Sequence, residues 1–216
     1  LLEAALAWEE AGGDKGWADL ADRIVELALA RFIDPGTGLL REFFSEDWSP
    51  APGLDGSLVE PGHQFEWSWL LARHGRSRAD AASLEAAWKL FEGGLKGVDP
   101  QRGVAVDACD IGGGVRSARA RLWPQTEWLK AAMILATATD DGRREACLTQ
   151  AARAQRALWR YLTPSGLWRD KMLENGKFID EPAPASSFYH VMAAFSQVQT
   201  SLGSLDPSMK LVLELG

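Results

Sequence analysis

Residues 20–44 read LADRIVELALARFIDPGTGLLREFF, and the two halves of this stretch obey different rules. Ala21, Ile24, Val25, Ala28 and Phe32 recur at helical spacing, so the first half predicts an amphipathic helix with one apolar stripe. Asp34-Pro35-Gly36-Thr37-Gly38 then stops it, because proline cannot continue a helix and glycine tolerates the turn. A short apolar segment follows the glycine. The layout returns in residues 84–108, LEAAWKLFEGGLKGVDPQRGVAVDA, and in residues 151–170, AARAQRALWRYLTPSGLWRD. The turn glycines Gly38, Gly103 and Gly166 lie 65 and 63 residues apart, which marks an internal repeat.

A second kind of helix follows each copy: PGHQFEWSWLLAR (61–73), WPQTEWLKAAMILATA (123–138) and PASSFYHVMAAFSQV (184–198). These are apolar almost all round, as buried helices are. Alternation of amphipathic and buried helices predicts an all-α toroid of helical hairpins, with an outer and an inner ring. The inner helices would start at one face, and their first turns would line a pocket there.

Those first turns carry the polar residues. His63, Glu66 and Trp67 fall at i, i+3 and i+4 and share a helix face. An imidazole beside a carboxylate suits general acid/base work, though the pair is also compatible with helix-start packing. His190 follows Ser186 by four residues and occupies the start of the third inner helix, as His63 does in the first. A core histidine bonded to Ser186 or to a backbone carbonyl is the plainer reading. His74, among the cations of RHGRSR, is expected on the surface. Glu127 either holds a substrate hydroxyl or pairs with Arg119 or Arg121. Trp67, Trp69, Trp123 and Trp128 suit a core, and Trp123 is also placed to meet a sugar's C–H face.

The chain has 216 residues, 46% apolar and 25% charged, with a net charge of −7. That size supports one sizeable domain, taken as residues 1–216. The acidic balance argues against nucleic acid as a partner. No apolar run approaches a membrane span, and Cys109 and Cys147 form neither a CxxC nor a zinc spacing. No dinucleotide, P-loop or serine-elbow motif is present. His63, Glu66 and His190 make a weak metal set, and no metal or other cofactor is expected. The opening LLEAALAWEE has helical apolar spacing and no capping residue, so it reads as a helix already under way.

GHQFEWSWLL, RLWPQTEWLKA and PASSFYHVMAA, in that order and spacing, resemble the N-acylglucosamine 2-epimerase family, which includes D-mannose isomerases and related aldose–ketose isomerases. The turns FIDPGTGLLREFFSEDWSP and LTPSGLWRD are similar to its inter-helix loops. The resemblance spans the chain and implies an (α/α)6 barrel, of which these residues would be the C-terminal half. It implies that His63 and His190 are the catalytic histidines, that Glu66 is an active-site glutamate, and that Trp123, Gln125 and Glu127 fall on a segment of the pocket; Trp67 and Ser186, beside the histidines, are expected to bind the substrate with them. A further histidine, and a sugar-binding arginine and asparagine, would precede Leu1. The form PASSFYH is closer to the isomerase branch than to the 2-epimerases. The expected function is cytoplasmic interconversion of an aldose and a ketose of the mannose/fructose type through a cis-enediol, on a monosaccharide, by a protein able to form a homodimer. A sugar 2-epimerase remains open. So do a non-catalytic glycan-binding toroid and an (α/α)6 glycoside hydrolase using Glu66 and Glu127 as its acid pair.

Overall fold

A computed structural model describes residues 1–139 and 142–205. Seven α-helices form its framework: α1 (Leu2–Glu10), α2 (Lys15–Leu27), α3 (Pro61–Arg78), α4 (Ala81–Lys96), α5 (Trp123–Thr137), α6 (Arg143–Trp159) and α7 (Ser186–Ser204). Helices α1, α3, α5 and α7 pack side by side as the inner layer, while α2, α4 and α6 back onto α1, α3 and α5 from outside. This is an arc of an (α/α) barrel, as the alternation of helix types predicts.

Local chemistry sets the boundaries. The Asp14 carboxylate caps α2 by accepting from Gly16 N–H, and Asp80 caps α4 through Ala82 and Ser83 N–H. Pro61 and Pro124 sit in the first turns of α3 and α5, where a missing N–H costs nothing. Helix α2 runs into a π-helical turn, Ala28–Phe32, before the proline turn ends it.

The three repeat glycines occupy one conformation. Gly38, Gly103 and Gly166 have φ of 72°, 66° and 81°, each closing a tight hairpin between an outer and an inner helix. The flanking pairs are Ile33 with Leu40, Val98 with Ala105, and Leu162 with Trp168. The sequence reading missed seven strands of two or three residues in these connections. β1 (Leu58–Val59), β4 (Ala108–Asp110) and β5 (Val115–Ser117) form one antiparallel sheet. β2 (Val98–Asp99) pairs with β3 (Val104–Ala105), and β6 (Ala120–Arg121) with β7 (Lys171–Met172).

The core lies between the layers. Phe65 stacks on Trp128 at 5.9 Å and meets Phe91 edge-on at 5.8 Å. Gly94 lets α4 approach this cluster: a Cβ there would stand 2.6 Å from the Phe65 ring. Both cysteines are buried and unbridged. His74 is a correction to the sequence reading, which put it on the surface. It is 5% exposed, with Nδ1 at 3.1 Å from Ser83 Oγ and Nε2 at 3.0 Å from Asp22. Asp22 also accepts from Arg78, so one nearby cation neutralises His74's partner and ties α3 to α2. No helix among the described residues is long and apolar enough to cross a membrane.

Candidate active site

Two buried side chains fix the face on which the inner helices begin. Gln64 donates to Leu40 C=O at 2.8 Å and accepts from Leu40 N–H at 2.9 Å. Gln125 does the same at Ala105, both bonds at 2.9 Å, and donates also to Arg121 C=O at 3.0 Å. Each glutamine replaces a strand partner that its hairpin lacks, which satisfies backbone groups that burial would otherwise orphan. Gln125, expected from the sequence to bind the substrate, has no exposure and has both amide ends engaged with backbone groups. The signal was visible as a shared pattern: Gln64-Phe65-Glu66-Trp67 and Gln125-Thr126-Glu127-Trp128.

His63, at the start of α3, is held by Glu42. Its Nδ1 lies 2.7 Å from Glu42 Oε2, while Glu42 Oε1 accepts from Glu60 N–H at 2.9 Å. Glu66, the partner expected from the i, i+3 spacing, makes no hydrogen bond to His63 and acts on it only through charge. Burial alone would lower the His63 pKa, but the Glu42 bond and the charges of Glu42, Glu60 and Glu66 outweigh it and raise it to about 8. Glu66 is pushed up from the ordinary carboxylate range, by burial first and then by the charge of Glu127. Glu60 is raised chiefly by burial and is bonded to Arg121 at 3.0 Å.

His190, the fifth residue of α7, is held by Glu127 of α5, with Nδ1 and Oε1 2.9 Å apart. Glu127 has no exposure, and its other oxygen meets Lys130 Nζ at 2.8 Å. The arginines expected to pair with Glu127 are engaged elsewhere: Arg119 and Arg121 both bind Asp107, each at 3.0 Å. Ser186 is exposed at the first residue of α7, and its neighbour Ser187 is the buried one, donating to Asp170 at 3.3 Å.

Trp123 brings the two histidines into one site. Its ring centroid is 5.0 Å from that of His63 and 5.6 Å from that of His190. Gly62 makes room for it, since a Cβ there would stand 2.4 Å from the ring. Each imidazole thus has Nδ1 committed to a carboxylate, and Nε2 has no hydrogen-bond partner among the described residues. Beside His63 opens a cavity of about 310 Å³ lined by Glu42, Glu66 and the aromatic group Phe32, Phe44, Trp48 and Trp67. Trp67 lines this cavity and meets Phe32 edge-on at 5.9 Å. A larger cleft, lined by the hairpin around Gly176 and residues 178–183, contains neither histidine. No group of three or more His, Cys, Asp or Glu among the described residues is placed to hold a metal ion.

The chain is thus an arc of (α/α) barrel in which two carboxylate-held imidazoles flank a tryptophan, and comparison with known proteins shows its family. The N-acylglucosamine 2-epimerase family model matches residues 1–194. The chain belongs to that family. A curated relative from Rhizobium meliloti (strain 1021), described as mannose-6-phosphate isomerase, is 50% identical over 207 residues, which are 94% of this chain and 54% of the relative. Among solved structures, a D-mannose isomerase aligns with TM-score 0.78 at 23% identity, over 93% of this chain and 54% of the other. A cellobiose 2-epimerase from Spirochaeta thermophila aligns with TM-score 0.71 at 18% identity, over 88% and 48%. The chain spans about half the length of the relatives it matches.

Proposed function

We propose that the full-length protein is an aldose–ketose isomerase acting on a sugar of the mannose/fructose type. The observation that carries this reading is the pair of imidazoles flanking Trp123, each anchored at Nδ1 and open at Nε2. Proton abstraction beside a carbonyl needs a base whose proton affinity suits neutral pH, which an imidazole has. His190 Nε2 takes the C2 proton of the open-chain aldose, giving a cis-enediol. Return of a proton to C1, with transfer of the O2 hydroxyl proton to the former carbonyl oxygen, gives the ketose. Only protons move: C2 is oxidised as C1 is reduced, so the reaction balances without a redox partner. His63, protonated up to a pH of about 8, serves as the acid that opens the ring and exchanges hydroxyl protons. Trp123 offers its face to the C–H face of the sugar. Glu66 and the Trp67 side of the cavity bind hydroxyls and ring edges next to His63.

The names of the 50%-identical relative and of the D-mannose isomerase support this substrate class. A glycoside hydrolase is disfavoured, because Glu127 is enclosed between Lys130 and His190 and reaches no glycosidic oxygen. A 2-epimerase is the second reading, favoured by the two imidazoles on either flank of Trp123, which could remove a proton from one face of C2 and return it to the other. One experiment decides: incubate the full-length protein with mannose, and separately with mannose 6-phosphate, in deuterated water. Isomerisation places deuterium at C1 of a ketose; epimerisation places it at C2 of the epimeric aldose. Full activity in a His190→Asn variant would overturn the assignment of the base.

A further inference from the structure

The two imidazole–carboxylate pairs are built alike but differ in that one of the two carboxylates also meets an ammonium. Glu42 meets His63 and a backbone N–H, and the other carboxylates around His63 are Glu60 and Glu66. Glu127 meets His190 on one oxygen and Lys130 on the other. Lys130 is as enclosed as its partner, with 1% of its side chain exposed, and its ammonium lies 3.7 Å from the centroid of the Trp69 ring. Trp69 is fixed in turn, donating through Nε1 to Gln197 at 2.7 Å. Taking an ammonium out of water is costly unless it is paired, so a core built for stability alone would favour an apolar residue here.

We propose that Lys130 is a positioning residue that makes His190 the base of the site, by neutralising Glu127 so that the bond to Nδ1 orients the imidazole without demanding an imidazolium. This rests on the isomerase reading, which needs one imidazole as base and one as acid. A carboxylate with an imidazole as its sole partner favours the imidazolium; a carboxylate already matched by an ammonium accepts an Nδ1–H bond without that demand. The bond then fixes the tautomer and aims the Nε2 lone pair into the site.

The other charged groups facing His190 do not replace Lys130. From α3 come Glu66 and, across Trp123, His63. On its own helix, Tyr189 packs against the His190 ring at 5.2 Å. The phenol of Tyr189 is pushed up by burial and by its bond to Glu3 of α1. Arg121 lies over the Trp123 ring at 5.4 Å but is engaged by Glu60 and Asp107, each at 3.0 Å, so Lys130 is the cation on the carboxylate that holds His190.

The test uses Lys130→Met, which keeps length and apolar volume and removes the charge, in the full-length protein. Nitrogen-15 NMR of labelled histidine reads the protonation of His190 directly, whether or not a substrate is known. The expected result is a neutral, Nδ1-protonated ring at neutral pH in the unaltered protein and an imidazolium in Lys130→Met. The acid limb of kcat/KM should move up by about one pH unit or more, with activity recovered on the alkaline side. Loss of activity at every pH with an unmoved limb and an unchanged His190 spectrum would reduce Lys130 to packing and overturn the proposal. A doubly protonated His190 at neutral pH in the unaltered protein would overturn it too, with no variant needed should Lys130→Met fail to fold. Absence of any sugar turnover by the unaltered protein would instead count against the isomerase reading, and the NMR comparison would still report on Lys130.

Discussion

Replacing Glu42 by glutamine keeps a side chain of the same size and removes the charge that holds the His63 proton. The structure sets the size of the effect. His63 is raised from 6.5 to about 8 against the opposing effect of burial, and its direct hydrogen bond is to Glu42 at 2.7 Å. Because the folded state binds this proton more tightly than the unfolded chain, the stability it contributes is fully present below pH 6.5. It disappears as the pH rises through about 8. Unscreened, the shift is worth about 2 kcal/mol. Solvent reaches 36% of the His63 side chain, and screening leaves about 1 kcal/mol. Urea unfolding of the unaltered protein and of Glu42→Gln, each followed from below pH 6.5 to above 8, should give profiles that converge by about that amount on the alkaline side. Proton NMR should show the His63 titration falling back toward 6.5 in the variant. Parallel profiles and an unmoved titration would mean that Glu60 and Glu66, not Glu42, hold the proton.

The glutamine brackets and the glycines give sharper stability tests. Gln125→Leu orphans the buried N–H and C=O of Ala105 and one bond to Arg121 C=O, and should cost about 4 kcal/mol in urea unfolding; a loss under about 1 kcal/mol would mean water replaces the amide. Gly94→Ala drives a methyl into the enclosed Phe65 ring and should cost about 2–3 kcal/mol. Gly103→Ala meets nothing within 4 Å and pays only for its φ of 66°, about 1 kcal/mol, so equal losses at the two positions would contradict the packing described for α4.

The repeat was legible because its causes are local. A proline turn, a glycine with positive φ and a switch of hydrophobic pattern each act within a few residues, and Gly38, Gly103 and Gly166 prove equivalent. Both histidines and Trp123 were singled out for the same reason, since each lies at or near the start of an inner helix. Their partners were not legible. The spacing rule that offered Glu66 to His63 is a rule about isolated helices, and a hairpin 21 residues upstream supplies Glu42 instead. Glu127 pairs with a histidine 63 residues away because α5 and α7 are neighbours in the barrel. His74 was misjudged because cations beside a histidine suggest solvent, while here Arg78 shares Asp22 with a histidine that is itself buried. Ser186 and Gln125 share a helix start with these residues, but Ser186 is exposed and Gln125 is fully buried.

Helix α5 is enclosed from Pro124 through Ala136, with every residue in between buried. Its amides should be among the last in the chain to exchange with solvent, opening only when the whole inner layer comes apart. Glu127 and Lys130 belong to that slow segment, whereas Glu42 rides on a connection between helices. Partial opening would therefore separate Glu42 from His63 long before it exposed the carboxylate behind His190. The two imidazoles sit a few ångströms from one tryptophan, yet they are anchored to parts of the molecule that come loose on different clocks.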